Sequence, residues 1–113
     1  MKSPPTEVGN ATVIEYAILD DTVRPTGRTI HGVGLPPEIP RVGQWRNFPP
    51  PKILGPFAAL AICKRIDDSS YWLFYCDENW NVQSDGWYES IEEAKNQAEF
   101  EYEGVSALWV RAG

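Results

Sequence analysis

From Thr12 to Leu19 apolar residues fill both phases of a period-two pattern. Ile14, Tyr16 and Ile18 occupy one phase and Val13, Ala17 and Leu19 the other, with Glu15 the only charge. Successive strand side chains point to opposite faces, so the segment predicts a strand apolar on both sides, central in a sheet or lying beneath a helix. Asp20-Asp21 closes it. Phe57–Ile66 predicts a second strand, Asp67-Asp68-Ser69-Ser70 a turn and Tyr71–Cys76 the returning strand. Pairing Ile66 with Tyr71 would set Cys63 opposite Phe74 and leave Cys76 diagonally away, too far for a disulfide. Asp77-Glu78-Asn79 then turns the chain into Trp80–Gln83. With Cys76 opposite Trp80, one face collects Trp72, Phe74, Cys76, Trp80 and Val82, and the other collects the wetter set Leu73, Tyr75, Asn81 and Gln83. Ser84-Asp85-Gly86 is expected to break that strand.

The period then changes. Ser90-Ile91-Glu92-Glu93 reads as a capping box, in which the Ser90 hydroxyl accepts the Glu93 amide and the Glu93 carboxylate reaches back to the helix start. Ile91, Ala94, Ala98 and Tyr102 follow at helical spacing, and Gly104 is placed to end the helix in a left-handed cap. The two alanines would let the helix sit close to the aromatic face of the sheet. Val105–Arg111 predicts a last strand.

Residues 22–56 are a different regime, holding eight of the ten prolines and five of the nine glycines. Proline lacks an amide donor and disfavours helix in the residue before it, so regular structure is not expected across Pro36–Pro56. A short strand is expected at Arg28–Val33. Leu35, Ile39, Val42, Trp45, Phe48, Ile53 and Leu54 are apolar enough to drape the segment over the sheet as a wrapping arm, partly polyproline II. The whole chain then reads as one α+β domain. A flexible tail (1–10) precedes the proline/glycine-rich arm (22–56) and a core of hairpins, helix and strand (57–113). The sheet is expected to be mostly antiparallel, of four to five strands, with one helix at about 90–103.

Charge changes this picture by its placement. The net charge is −6, but residues 1–56 carry six bases against five acids and residues 57–113 four against eleven. An acidic half argues against nucleic acid, which needs a basic footprint, and favours a basic protein partner. No secretory or membrane-spanning segment is read, and two cysteines make no disulfide framework, so a cytoplasmic protein is expected.

Candidate chemistry is sparse. His31 is the only histidine and has no Ser or Cys partner identifiable in the sequence. Gly32-x-Gly34 lacks the third glycine and the context of a dinucleotide loop. Asp77-x-Asn79-x-Asn81 matches the first ligand positions of a calcium loop, but Val82 and Tyr88 stand where glycine and glutamate are required, so a turn explains it. One histidine and two distant cysteines do not make a zinc site. The turn carboxylates Asp67, Asp68, Asp77 and Glu78 are ordinary turn acids. Neither catalytic residues nor a metal or cofactor is therefore expected. What folding does not explain is Glu99, Glu101 and Glu103 at the carbonyl end of the helix, where negative charge is disfavoured. Phe100 lies on the side of the helix away from the core stripe.

The runs Tyr75-Cys76-Asp77-Glu78-Asn79-Trp80-Asn81-Val82, Trp87-Tyr88-Glu89-Ser90-Ile91-Glu92-Glu93-Ala94 and Gln97-Ala98-Glu99-Phe100-Glu101-Tyr102 resemble those of small bacterial proteins. Some of these are similar to the immunity proteins encoded beside secreted antibacterial toxins. The resemblance covers residues 71–104 and implies a protein that binds and neutralises a cognate toxin. Partner binding is then expected at Glu99, Phe100, Glu101, Glu103, Trp80, Trp87 and Glu92. The alternatives are a small adaptor that binds a partner, or a second copy of itself, through the proline-rich arm, and thirdly an enzyme of unknown class, which a deep polar pocket holding His31 and two carboxylates would support.

Overall fold

The computed structural model describes residues 1–29, 31–33, 52–53 and 55–112. Strands β1 (Glu7–Val8) and β2 (Ala11–Ile18) form a hairpin, followed by β3 (Arg24–Pro25), β4 (Gly32–Val33) and its partner β5 (Lys52–Ile53). Then come β6 (Ala59–Lys64), β7 (Tyr71–Cys76), β8 (Val82–Tyr88) and helix α1 (Ile91–Glu101). β9 (Tyr102–Glu103), a 3-10 turn at Val105–Ala107 and β10 (Val110–Arg111) complete the order. The main sheet runs β1-β2-β6-β7-β8, all antiparallel, with β10 added to β2. This is the expected α+β class: a curled antiparallel sheet with one helix in the C-terminal half.

The two-sided apolarity of β2 has a local cause. Val13 pairs with Cys63 and Glu15 with Ile62, so a bulge at Ile14 switches the phase of the strand. Val13 thus faces the Cys63 side and Ala17 the opposite side, and both are buried. A bulge inserts one unpaired residue and turns every later side chain over.

The helix sits on the other face from the one expected. Ala94 and Ala98 pack with Leu60, Ile62, Leu73 and Tyr75, on the face where Leu73 and Tyr75 were read as part of a wetter set. Those four are almost fully buried, and burying each such side chain contributes about 2 kcal/mol before entropy is subtracted. The Phe74, Cys76 and Trp80 face is closed instead by the N-terminal residues Val8 and Ala11. Residues 1–10, expected as a flexible tail, are therefore docked: the Trp80 indole donates to the Lys2 carbonyl (2.9 Å) and the Val13 amide to Thr6 (3.0 Å). Gly9 is required there, because a Cβ would stand 2.9 Å from the Phe74 ring.

Register and boundaries also differ from expectation. Lys64, not Ile66, pairs with Tyr71, and Cys63 pairs with Trp72. The Asp68 carboxylate holds a longer turn, accepting from the Ser70 amide (2.8 Å) and the Trp72 indole (3.1 Å). A two-residue slip preserves which face each side chain takes. Cys63 and Cys76 are free and buried, as expected of the pair, and burial pushes each thiol up to about 12. Cys76 pairs with Val82 rather than Trp80. The strand then continues through Ser84-Asp85-Gly86, because the ladder to β7 outweighs the local breaker signal.

The capping box is present, with Glu93 accepting from the amide of Glu89 (3.0 Å), one residue before the cap. The helix ends at Glu101 rather than 103, since Tyr102 and Glu103 turn extended to pair with Arg24 and Pro25. The expected strand Val105–Arg111 is reduced to Val110–Arg111 by the 3-10 turn before it. Of the expected strand Arg28–Val33, Gly32–Val33 is extended, while Ile30 lies outside the described residues, as do residues 34–51 with Trp45 and the central prolines of the arm.

Candidate functional site

Glu101 stands three residues after Ala98 and seven after Ala94, which places it on the same helical stripe as both alanines. It is 5% exposed, and the site is built around its carboxylate. Oε1 accepts from the Thr29 hydroxyl and from His31 Nε2 (2.6 Å), and Oε2 accepts from the Tyr75 hydroxyl. His31 Nδ1 lies 2.6 Å from Ser84 Oγ. A carboxylate only accepts, so Nε2 carries the proton that faces it. In the neutral ring Nδ1 then accepts from the Ser84 hydroxyl. The imidazole packs over Tyr75 (4.2 Å between centroids) and edge-on to Phe57 (5.2 Å). Residues from a loop, two strands and a helix thus converge on one buried acid.

The surrounding tyrosines register that acid. Burial, then the hydrogen bond and charge of Glu101, pushes the Tyr75 hydroxyl far above its ordinary range. Burial and then the Glu101 charge lift Tyr102 to about 12 and raise Tyr88 as well. Each phenol is held neutral, the form that can donate.

Residues 22–29 strap this cluster to the end of the helix. The Thr26 amide donates to the Glu101 carbonyl (2.9 Å) and its hydroxyl to the Phe100 carbonyl (2.7 Å). The Arg28 guanidinium lies 5.1 Å from the Phe100 ring centroid. These contacts satisfy carbonyls that the last turn of a helix leaves open. Glu99 folds back in the same way, accepting from the Gly104 amide (2.8 Å) and from the Ser106 amide (3.1 Å) and hydroxyl (2.7 Å). The Ser106 hydroxyl, then the Gly104 amide, hold its carboxyl below the usual glutamate value.

The expected partner-binding set therefore separates. Glu101 is buried rather than displayed. Trp80 is buried too, in a turn where it takes a positive φ of 63°. Glu99 is engaged in capping. Phe100 (46% exposed) and Glu103 remain at one end of the helix, and Trp87 (61% exposed) and Glu92 lie towards the other. Eleven helical residues span about 16 Å, so these are two surfaces. Trp87 lies on β8 opposite Trp72, whose ring stacks on Phe74 and carries the Arg65 guanidinium 4.5 Å away. Gln83, Asp85, Trp87 and Glu89 alternate as exposed positions, with Glu92 one helical turn further on.

Sequence reasoning missed Ser84 and Glu101 as partners of His31, and Thr29 and Tyr75 as further partners of Glu101. Their separations run up to 72 residues, and only the spacing of Glu101 from Ala94 and Ala98 signalled anything. The turn acids behave as turn acids: Asp77 accepts from the Asn79 and Asn81 amides, both at 2.9 Å. Among the described residues no three metal-ligating side chains gather, and no helix is long and apolar enough to cross a membrane. Comparison with protein-family models, curated proteins and solved structures finds no match for this chain.

Proposed function

We propose that this chain is a non-catalytic protein-binding domain that occludes a basic partner, in the manner of an immunity protein with its cognate toxin. The observation that carries this reading is Trp87: a large indole left 61% exposed on a strand, flanked by Asp85, Glu89 and Glu92. Its cross-strand pairing with Trp72 leaves most of the indole in solvent beside acids, and aromatic anchors within charged rims dominate protein recognition. A cytoplasmic location accords with neutralising a toxin inside the cell that makes it. The test is co-expression with the product of the adjacent gene. Growth protection by the natural chain, lost in Trp87→Ala at unchanged expression, is expected. Absence of protection by the natural chain overturns the proposal.

A second reading has one observation in its favour, the hydroxyl–imidazole–carboxylate chain Ser84–His31–Glu101. It differs from a hydrolase triad in two respects: the serine faces Nδ1 instead of Nε2, and it sits mid-strand instead of on a sharp elbow. We assign the chain to fastening the strap. No covalent labelling of Ser84 by a fluorophosphonate, read by intact mass, is the expected result, and stoichiometric labelling at Ser84 would move the assignment to catalysis.

A further inference from the structure

We infer that the partner binds by extending the sheet: an extended basic segment pairs along the side of β8 that no described strand occupies, with Trp87 as its anchor. This rests on the protein-binding reading and adds the mode of recognition and the chemistry of the recognised segment. Among the described residues β8 bonds to β7 alone. It is seven residues long, about 23 Å of strand whose outward amides and carbonyls are a template for another chain.

Val82–Tyr88 contains no proline and no lysine or arginine, and its one bulge, at Gln83, lies at the Cys76 end of the ladder, leaving Ser84–Tyr88 regularly paired with Tyr71–Tyr75. At the opposite side of the sheet the outer edge of β2 is closed by two short strands, β1 and β10. The β8 backbone is also held in place before any partner arrives. Ser84 is tied to His31 on the helix side, and Gly86 is backed by the Tyr88 hydroxyl, which would stand 3.0 Å from an added Cβ. A pre-ordered strand lowers the entropy cost of pairing.

Charge selects the occupant. Asp85 is the central residue of β8, so two-fold antiparallel pairing of two copies about the strand centre would set Asp85 against Asp85. Like charges directly opposite are destabilising. A segment with lysine or arginine at alternate positions meets Asp85 and Glu89 favourably and places an intervening side chain across from the Gly86 backbone.

The experiment uses the full-length, isotope-labelled chain and a synthetic peptide of alternating lysine and valine. The outward amides of β8 should exchange quickly in the free chain and become protected on saturable peptide binding, with chemical-shift changes centred on Val82–Tyr88. A glutamate–valine peptide should not bind, and Trp87→Ala and Asp85→Lys should each weaken the lysine peptide by roughly tenfold or more. Three results would overturn the inference: outward β8 amides already as protected as those of β7, equal binding of a backbone N-methylated peptide, or a concentration-dependent dimer shifting the same amides. If the N-methylated peptide binds equally while Trp87→Ala still abolishes growth protection, sheet extension fails and the protein-binding reading stands. If the natural chain gives no protection, that reading fails by itself.

Discussion

The two faces of β8 carry similar residue types and do opposite work. On the helix side, Ser84, Gly86 and Tyr88 are drawn into the cluster around Glu101, where the acid is hydrogen-bonded by a histidine, a tyrosine and a threonine. On the far side, Gln83, Asp85 and Trp87 are exposed, and among the described residues the acids there accept no side-chain hydrogen bond. The difference teaches that an acidic surplus is not itself a functional signal. Glu101 and Glu99, which looked like surface charge, belong to folding, while Asp85 and Glu89, read in the sequence only as part of a strand breaker and of a helix approach, are exposed. Environment and not residue type separates the two roles.

That contrast can be broken from the inside first. Glu101→Ala leaves His31, Tyr75 and Thr29 without their common acceptor, and should cost about 3 kcal/mol, read as a shift in the urea midpoint. His31→Ala removes one donor and the link to Ser84. It should cost about 2 kcal/mol and speed amide exchange across residues 22–29, while exchange in β6 changes little.

Tyr75→Phe should cost about 1 kcal/mol at neutral pH by deleting one hydrogen bond. It also changes the alkaline limb. The folded state raises Tyr75 and Tyr102, so their contribution is fully present below the ordinary tyrosine value of about 10 and is lost as pH rises through the folded values, about 12 for Tyr102. Stability measured from pH 8 to 12 should therefore fall above about 10 in the natural chain, and fall less steeply in Tyr75→Phe.

Ser90→Ala should cost about 1 kcal/mol through the lost cap, with no effect on the β8 surface. The smallest stability change is expected on the far side: Trp87→Ala should stay within about 0.5 kcal/mol of the natural chain while removing partner binding. A Trp87→Ala chain that unfolds as readily as Glu101→Ala would erase the distinction between the two faces.

Much of the fold was legible because its signals are local. Ser90 and Glu93 are three residues apart, Asp68 and Asp77 bond within their own turns, and Tyr71–Cys76 alternates within one strand. The helix face was misassigned because both faces of β7 are apolar enough to take a helix, and the choice depends on which cover arrives. Val8 and Ala11 cover the Phe74 side, and their burial could not be read from a polar-looking N-terminus. The β2 bulge was hidden for a related reason, since two apolar phases in one strand look the same whether the strand is doubly buried or turns over midway.

The sequence by itself determined the strand-turn-strand-helix order of residues 57–101, the helix start and the reduced cysteines, because each depends on residues within a few positions or on burial alone. Only the tertiary structure decided that Glu101 is an internal acceptor and Asp85 an exposed acid. That decision rests on His31 and Tyr75 reaching Glu101 from 70 and 26 residues away. Such a contact exists only once the sheet, the strap and the helix have closed around it.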